Sequence, residues 1–509
     1  MRKLAAILIL AFSFGQGLKA QELTELARSA SNDHEHYGWS MAMDENWLVV
    51  GTPHSTTSAG QDAGKVIIYQ KNGDSWDEFQ VLVDAEGNTF QNYGFSVDMK
   101  SSVLVVGAIG TFQQGPFTGK ALVYEFDGSD WQLTNTIQAS DAGAGNYFGH
   151  SVATNGSRII VGAIKANGEA AASGAVYDFT KVNGTWTFAN KLTADDGATN
   201  DNFGYSIDIN DANTVVVGSP NQSDFIDKSG AAYVFNSDGT TYTQTDKLKA
   251  FARTEKDFLG TSVAINRNDI VAGAFLADGL SNNAGSVYYF RNEEDTWKEI
   301  QQVVYADGGL NDYFGKSVAM SDFRLVVGAP KANMGDNLDV GQSYYYEKEG
   351  GLWVLKQVLD DPEGTAHNYF GASVMVTDLN LAISARMDDV NRQDGGTVYA
   401  ASLPEVVTGL EDDIILEQAI ELKTYPNPTQ QQVNIRYKLL KSSRVAIKVF
   451  DNSGNPIREL LSETIQPAGD QELQWNLSAY DGSRVASGLY FYKLSIDGNV
   501  FTRKIIVSR

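Results

Sequence analysis

The chain has 509 residues, a formal net charge of −24 and no cysteine. Without cysteine, the protein can have no disulfide, thiol nucleophile or zinc–thiolate site, so its stability must come from a packed core. The charge is uneven: residues 421–509 hold 12 Lys or Arg and eight Asp or Glu, which leaves −28 for residues 1–420. A segment this acidic repels nucleic acid and anionic lipid, so neither is an expected partner.

The first 20 residues have the pattern of a secretory signal peptide. Met1-Arg2-Lys3 is basic, the run from Leu4 to Phe14 is apolar, and Ala20 is a small residue at the expected cleavage point. We therefore predict cleavage before Gln21 and export through the Sec pathway. No other segment has the length and hydrophobicity of a membrane span.

A short step consisting of an aromatic residue, a glycine and a nearby serine recurs seven times. Each copy is followed 13 or 14 residues later by a short β-branched run that ends in a small residue. The intervals between the step glycines are 55 or 56 residues, and these glycines are Gly38, Gly94, Gly149, Gly204, Gly260, Gly315 and Gly371. Such a regular period predicts one supersecondary unit copied seven times.

The sixth copy shows what the unit contains. Alternating or β-branched runs bounded by turn residues predict strand a at Phe314 to Met320, b at Arg324 to Ala329, c at Gly341 to Glu347 and d at Leu352 to Leu359. The unit is therefore a four-stranded antiparallel meander. Its faces and edges are unsatisfied in isolation, so the copies must pack on one another.

The termini of the repeat region indicate how the copies are arranged. The seventh copy supplies only three strands, whereas Glu22 to Leu26 precedes Gly38 at the offset expected of a strand d. We predict that residues near 22–27 pair with residues near 396–403. The predicted fold is thus all-β, with a seven-bladed β-propeller over residues 21–403 closed by its N-terminal strand.

An aromatic residue recurs early in strand d of six copies. A large side chain at this position can fill the wedge between twisted blades, so we predict a packing role rather than a ligand role. The residues are Trp76, Trp131, Trp186, Tyr242, Trp297 and Trp353.

The repeats resemble the FG-GAP repeats of integrin α-subunit propellers and their bacterial relatives. Tyr147-Phe148-Gly149 followed by Val161-Gly162-Ala163 carries the resemblance, which covers residues 22–403 and loosens at Ile383-Ser384-Ala385. It implies calcium in an oxygen-rich loop between strands a and b. Only the fourth copy comes close to such a loop, and an ordinary Asx-rich turn is the alternative there. Its residues are Asp208, Asn210, Asp211 and Asn213.

Long connections alternate with tight ones along the repeats. In a meander propeller the d–a and b–c connections share one face, and here those are the long and variable ones. Variable loops on a rigid scaffold commonly bind ligands, although each could be a solvated connector. We predict ligand contacts on this face, at the exposed aromatic residues Phe112, Phe117, Phe225 and Phe275.

The C-terminal part has a different organisation. Pro404 to Glu421 is an acidic linker, and residues 422–509 contain alternating strands that predict a small Ig-like β-sandwich. Its landmarks resemble the C-terminal sorting domain of the type IX (Por) secretion system, and an ordinary Ig-like binding module is the alternative. They are Tyr425, Pro426, Asn427, Pro428, Gly488, Tyr490 and Lys504.

The sorting-domain resemblance implies that the chain contacts the type IX secretion machinery and is then secreted or attached to the outer-membrane surface. No catalytic motif stands out, and the five histidines form no recognisable set. The sequence therefore predicts a monomeric, non-catalytic binding or adhesion protein for protein or glycan partners, without a cofactor. The alternative is a secreted polysaccharide hydrolase or lyase on a propeller scaffold.

Overall fold

The computed structural model describes residues 23–29, 33–110, 118–141, 143–279, 281–305, 308–387, 393–404, 422–439, 443–451, 456–480, 482–496 and 499–508, without the side chains of 463 and 499–502. It divides into two compact units, Met1–Glu405 and Val406–Arg509. The predicted signal peptide and residues 405–421 of the predicted linker lie outside the described residues.

The first unit contains seven four-stranded antiparallel sheets within the described residues. In chain order the strands are β1 (Thr24–Glu25), β2 (Ser40–Met43), β3 (Trp47–Thr52), β4 (Lys65–Asn72), β5 (Ser75–Leu82), β6 (Tyr93–Lys100), β7 (Val103–Ala108), β8 (Lys120–Phe126), β9 (Trp131–Ile137), β10 (Phe148–Thr154), β11 (Arg158–Ala163), β12 (Ala175–Val182), β13 (Thr185–Leu192) and β14 (Ile207–Ile209). They continue as β15 (Val215–Ser219), β16 (Ala231–Ser237), β17 (Tyr242–Leu248), β18 (Ser262–Asn266), β19 (Asp269–Ala274), β20 (Ser286–Glu293), β21 (Thr296–Val303), β22 (Ser317–Met320), β23 (Arg324–Ala329), β24 (Gln342–Glu349), β25 (Leu352–Asp360), β26 (Phe370–Val376), β27 (Asn380–Ala385) and β28 (Thr397–Ser402).

Six sheets follow the chain as consecutive meanders, beginning with β2-β3-β4-β5, and the seventh is β1-β28-β27-β26. The second strand of each sheet is the most enclosed. In β7, for example, all six side chains are buried, which accounts for its run of apolar residues. The fourth strands alternate between buried and exposed side chains, since one of their faces meets water. The architecture is consistent with a β-propeller.

The step glycines explain how consecutive sheets approach one another. All seven adopt φ between +86° and +89°, a conformation that a side chain disfavours. A Cβ on Gly149 would lie 2.6 Å from the carbonyl oxygen of Lys120. The Ser96 hydroxyl of the preceding copy donates to the Gly149 carbonyl at 2.8 Å, and five other copies make the same bond.

The glycine turn also shortens the first strand of the sixth copy. The sequence predicts this strand from Phe314, whereas β22 begins at Ser317. Phe314 instead forms a parallel bridge to Gly285 in the neighbouring sheet. Equivalent bridges join Gly64 to Tyr93, Gly119 to Phe148, Gly174 to Phe203, Gly230 to Leu259 and Gly341 to Phe370.

The N-terminal segment completes the last sheet. Thr24 pairs with Ala400 and Glu25 with Tyr399, which is the pairing that the sequence predicts. Nearby, the amide of Tyr37 donates to the Gly395 carbonyl at 3.0 Å. The first strands of consecutive sheets contact one another, and β26 contacts β2, so this series of contacts is cyclic.

The closing joint differs from the other six. In the other copies the small residue of the second strand is glycine, and a Cβ at Gly107 would lie 2.2 Å from the Gly149 carbonyl oxygen. The seventh copy has Ser384 at this place, and a Cβ on Gly38 would lie 2.6 Å from the Ser384 Cβ. The ring of contacts therefore contains one distinguishable joint.

The second unit consists of two antiparallel sheets over one hydrophobic core. Its strands are β29 (Lys423–Tyr425), β30 (Val433–Leu439), β31 (Ser443–Asp451), β32 (Pro456–Gln466), β33 (Gly469–Trp475), β34 (Gly488–Ile496) and β35 (Asn499–Val507). The sheets are ordered β29-β30-β33 and β32-β31-β34-β35. Strands β29 and β32 are hard to recognise in the sequence, because β29 has only three residues and β32 starts at a proline.

Candidate functional site

A cavity of about 940 Å³ lies at the end of the sheets formed by the connections between first and second strands. We call this region the turn end. Its lining is rich in charged side chains, among them Asp44, Asp98, Asp208, Asp211, Asp322, Asp378, Lys100 and Arg267. Within the described residues, no group of three His, Cys, Asp or Glu side chains is arranged to hold a metal ion.

Two carboxylates at the turn end join neighbouring sheets. Asp98 accepts a hydrogen bond from the Thr154 amide at 2.6 Å, and Asp208 accepts one from the Ile265 amide at 2.8 Å. Burial, together with the charge of Asp208, raises the pKa of Asp98 to about 8. Burial also raises the pKa of Asp208 to about 6. Both carboxylates accept a backbone amide of the neighbouring sheet, and at neutral pH the raised pKa favours the protonated form of Asp98 but not of Asp208.

The predicted calcium loop of the fourth copy is held by hydrogen bonds between its own residues and to the third copy. The Asn210 side-chain oxygen accepts the amides of Ala212 and Thr214 at 3.0 and 2.8 Å, which is the geometry of an Asx-rich turn. Asn155 donates to the Asn213 side-chain oxygen at 2.8 Å, and Asp211 is exposed. Calcium binding in this loop stays a prediction.

Replacing Asp98 with asparagine should stabilise the protein increasingly as the pH rises. A carboxyl group whose pKa is higher in the folded than in the unfolded chain binds more protons when folded, so the wild type loses stability between about pH 4 and 8. The lost free energy of unfolding is at most about 1.4 kcal/mol per pH unit. Urea unfolding of both proteins at pH 5 and pH 8 measures it. The exposed Asp211→Asn variant is the control, and an equal effect of Asp98→Asn at both pH values would contradict the prediction.

The opposite end of the sheets carries the long connections, and we call it the long-loop end. The residue after each step glycine lies here, and four of these residues form a continuous row of rings. The centroid of Trp39 is 5.5 Å from Phe95, Phe95 is 5.3 Å from His150, and His150 is 4.9 Å from Tyr205. Burial lowers the pKa of His150 to about 4, so it is neutral at physiological pH.

Two cations lie at the two ends of this row of aromatic side chains. The Lys316 ammonium lies 5.9 Å from the Tyr205 ring centroid and 4.7 Å from that of Phe275. The Arg386 guanidinium lies 5.0 Å from the Trp39 centroid. The long-loop end therefore has aromatic side chains on one side and cationic side chains on the other.

A small cavity of about 90 Å³ opens beside these cations. It is lined by Tyr313, Lys316, Pro330, Lys331, Tyr369, Ala372 and Arg386. All of them belong to the sixth and seventh copies and lie at the ends of strands or in the connections between them. The wall of the cavity is thus formed by the b–c connections of two copies and by the d–a connections that precede the step glycines of the same copies.

The two tyrosines of this cavity have an unusual backbone conformation. Tyr313 has φ +63° and Tyr369 has φ +56°, in the left-handed region that bulky residues disfavour. The same position is left-handed in every copy: His36, Asn92, Tyr147, Asn202 and Phe258 occupy it elsewhere. The carbonyl of Tyr313 accepts the Lys316 amide at 3.0 Å, which closes the turn. The repeat thereby imposes a strained conformation that fixes both rings at the cavity.

The predicted ligand-binding aromatics have different surroundings. Phe275 packs against Tyr313, which lines the small cavity, with centroids 5.0 Å apart, but Phe275 itself is not among the lining residues. Phe225 is fully exposed. Phe112 and Phe117 lie outside the described residues.

The sequence analysis does not predict Trp39, Lys316, Tyr369 or Arg386 as site residues. A signal for them exists, however. Each lies at a position of the repeat where the residue type differs between copies, close to a glycine or small residue that recurs in every copy. At the position of Arg386, directly after strand b, five other copies have Pro or Ile.

The landmarks of the second unit come together at its last strand. Asn427 donates to the Lys504 carbonyl and accepts the Ile506 amide, both at 2.8 Å. Tyr490, in the strand that Gly488 begins, packs against Trp475 with centroids 5.7 Å apart. The Tyr425 hydroxyl donates to Glu472 at 3.0 Å, and the bonds before Pro426 and Pro428 are cis.

Comparison with known protein families matches both parts of the chain. The FG-GAP repeat model matches residues 76–124, 131–179, 186–235, 242–290 and 297–346, and the model of the secretion system C-terminal sorting domain matches 423–508. The chain carries five FG-GAP repeats and a C-terminal sorting domain. The sorting domain indicates export by the type IX secretion system, contact with its machinery, and a secreted or cell-surface location.

One similar solved structure is PorZ of Porphyromonas gingivalis, described as an essential bacterial surface component of the type-IX secretion system. The identity is 14%, the TM-score is 0.43, and the similarity covers 95% of this chain and 61% of the PorZ chain. No curated protein sequence matches the chain. Within the described residues, no helix is long and apolar enough to cross a membrane.

Asn427→Ala should loosen the last strand of the sorting domain. The variant loses two hydrogen bonds to strand β35, at roughly 0.5 to 1.5 kcal/mol each. Faster hydrogen–deuterium exchange in residues 503–508 of the full chain would show this. Asn476→Ala is the control, because the Asn476 side-chain oxygen accepts only local bonds from Ser478. Unchanged exchange in Asn427→Ala would contradict the expected result.

Proposed function

We propose that this protein is a non-catalytic binding or adhesion protein that acts outside the cell. In this proposal its repeats form a seven-bladed, integrin-α-like β-propeller, and its long-loop end holds a protein or glycan partner. The Ig-like sorting domain directs export after passage through the Sec pathway, and the mature protein acts as a monomer, released or attached to the cell surface.

The cavity between the sixth and seventh copies carries the proposal. There, two long connections and two tyrosines with left-handed backbone meet at one open depression, and Phe275 packs against one of these tyrosines. The left-handed turn is common to all copies, and in these two copies it places a tyrosine ring at the cavity. The long-loop end also combines variable connections with a rigid sheet scaffold, which is a common design of binding proteins.

Binding of the full chain to arrays of glycans and extracellular-matrix proteins tests the proposal. We expect binding that is lost when the b–c connections 330–340 and 386–395 are replaced by residues 164–173 of the third copy. The same exchange at residues 53–63 of the first copy is the control and should have less effect. Failure to bind any partner, combined with turnover of a polysaccharide by the purified protein, would overturn the proposal.

One observation favours a second function, that of a polysaccharide hydrolase or lyase. Asp98 and Asp208 interact electrostatically at a cavity of about 940 Å³, and both have raised pKa values, as catalytic acids often do. Their hydrogen bonds to the Thr154 and Ile265 amides favour the structural role. Release of reducing ends from a polysaccharide, abolished by Asp98→Asn in a folded variant, would establish this function instead.

A further inference from the structure

The charges around the small cavity at the long-loop end are unusual for this protein. Residues 1–420 carry a formal charge of −28, yet Lys316, Lys331 and Arg386 all line one cavity. In the part of the chain that the structure describes, none of these three cations has a carboxylate within ion-pair distance. Their charged groups lie over aromatic rings instead. The Lys331 ammonium lies over Tyr313, and the Arg386 guanidinium lies over Trp39 and Tyr369.

Several other lysines at the same end pair with carboxylates, although Lys165 donates only to the side-chain oxygens of Asn200 and Asn202. Lys191 pairs with Asp141 at 2.5 Å, and Lys247 pairs with Asp196 at 2.5 Å and with Asp224 at 2.8 Å. Lys65 pairs with the buried Glu35 at 2.8 Å. The absence of carboxylates around the small cavity is therefore a local property and does not extend over the whole surface.

The guanidinium of Arg386 also lacks hydrogen-bond acceptors. Its Nε atom is buried and has no hydrogen-bond partner among the described residues. Burial lowers the pKa of Arg386. A guanidinium nevertheless stays charged in proteins, so it presents several N–H donors without a fixed acceptor. An anion that enters the cavity would supply that acceptor.

The dimensions and walls of the cavity restrict the ligand. At about 90 Å³ the cavity is smaller than the roughly 150 Å³ that accommodates a benzene ring, so it suits one carboxylate or sulfate better than a whole sugar ring. The rings of Tyr313 and Tyr369 line the cavity and provide apolar surface, and Phe275 packs against Tyr313. A pyranose ring can pack its C–H face on such a surface while its charged substituent reaches the cations.

We propose that this cavity binds the anionic substituent, a carboxylate or sulfate, of a sugar unit in an extracellular polysaccharide. The inference rests on the proposed function and specifies its ligand. An acidic peptide fits less well, because peptides are commonly held by hydrogen bonds along a sheet edge or in a long groove. The cavity instead presents side-chain cations and rings around a single small opening.

The test measures binding of the full chain by calorimetry to five polymers. Oligogalacturonate and its methyl ester differ only in the carboxylate charge, dextran sulfate and dextran differ only in the sulfate, and polyglutamate represents an acidic peptide. We expect at least tenfold tighter binding to oligogalacturonate or dextran sulfate than to the matched neutral polymer. Whichever of the two binds identifies the anionic group.

The variants take residues from other copies at the same register position, so that the fold is retained. Arg386→Ile follows Ile109 and Ile164, Lys316→Thr follows Thr261, and Tyr369→Asn follows Asn92 and Asn202, since asparagine tolerates the left-handed conformation. Each variant should weaken binding of the charged polymer at least tenfold. Lys191→Ala removes a neutralised lysine at the same end and should leave binding unchanged. Thermal denaturation confirms that each variant is folded.

Three results would overturn the inference. One is equal binding of charged and neutral polymers, and another is charge-dependent binding that Arg386→Ile and Lys316→Thr leave unchanged. The third is binding of polyglutamate alone, lost in the same variants, which would assign an acidic peptide. If neutral glycans or proteins bind through the long connections, the proposed function stands without the inference. If no partner binds, both fail.

Discussion

Replacing Glu35 with alanine is expected to lower the free energy of unfolding by about 3 to 5 kcal/mol, the usual effect of removing one partner of a buried ion pair. Glu35 is fully buried where the N-terminal segment meets the first repeat. It lies 3.4 Å from Arg28 and 2.8 Å from Lys65, and it accepts the Ser55 hydroxyl at 3.2 Å. Without Glu35, both cations keep their charge but lose this counterion.

Arg28 extends the consequence to the closing strand. Its guanidinium also donates to the Gly396 carbonyl at 3.1 Å and lies 4.6 Å from the Tyr37 ring centroid. Loss of Glu35 should therefore weaken the pairing of β1 with β28. Faster hydrogen exchange in residues 397–402 is the local readout, and urea unfolding gives the global one.

Glu78→Ala is the matched control for this experiment. Glu78 also holds the N-terminal segment, through the Ser29 amide at 2.7 Å and the Ser29 hydroxyl at 2.6 Å, but these bonds are exposed to solvent. Its loss should lower the free energy of unfolding by less than about 1.5 kcal/mol. If Glu35→Ala has an equally small effect, then the buried charge cluster does not stabilise the joint.

Trp131→Ala is expected to lower the free energy of unfolding by about 3 to 5 kcal/mol. The side chain is only 2% exposed, and its ring lies 5.6 Å from Trp47, which belongs to the preceding sheet. The Gln80 side chain of that sheet also donates to the Trp131 carbonyl and accepts its amide. Removing the indole leaves a cavity between two sheets that the backbone bonds prevent from collapsing.

Urea unfolding of Trp131→Ala and Leu133→Ala tests this expectation. Leu133 lies on the same strand and is 50% exposed, so its truncation removes little buried surface and should change the free energy of unfolding by less than about 1 kcal/mol. Similar effects of the two substitutions would show that the indole does not have the packing role assigned to it.

The repeat architecture is largely predictable from sequence because it depends on local chemistry. A glycine with positive φ and a β-branched run recur at fixed spacing, and these residues define where a chain turns and where it pairs. The same logic predicts the b strand of the sixth copy, Arg324–Ala329, to the residue. It misplaces the start of β22, since the effect of Gly315 on the preceding aromatic depends on the neighbouring sheet.

The candidate site was less predictable because it depends on distance in space. Lys316 and Arg386 are 70 positions apart in the sequence, and neither belongs to a motif. Their shared feature, the lack of a carboxylate partner within the described structure, is a property of the folded surface. Of the two predicted ligand-binding aromatics that the structure describes, Phe275 contacts a lining residue of this cavity, Tyr313, and Phe225 is fully exposed.

The position of β28 has a mechanical consequence for a protein displayed on a cell surface. This strand leads towards the sorting domain, and it is hydrogen-bonded to β27 on one side and to β1 on the other. A pulling force transmitted through the C-terminal side therefore enters a strand that is held along both edges. Such a force would load these two ladders together, and the short two-residue ladder with β1 would be the first to yield.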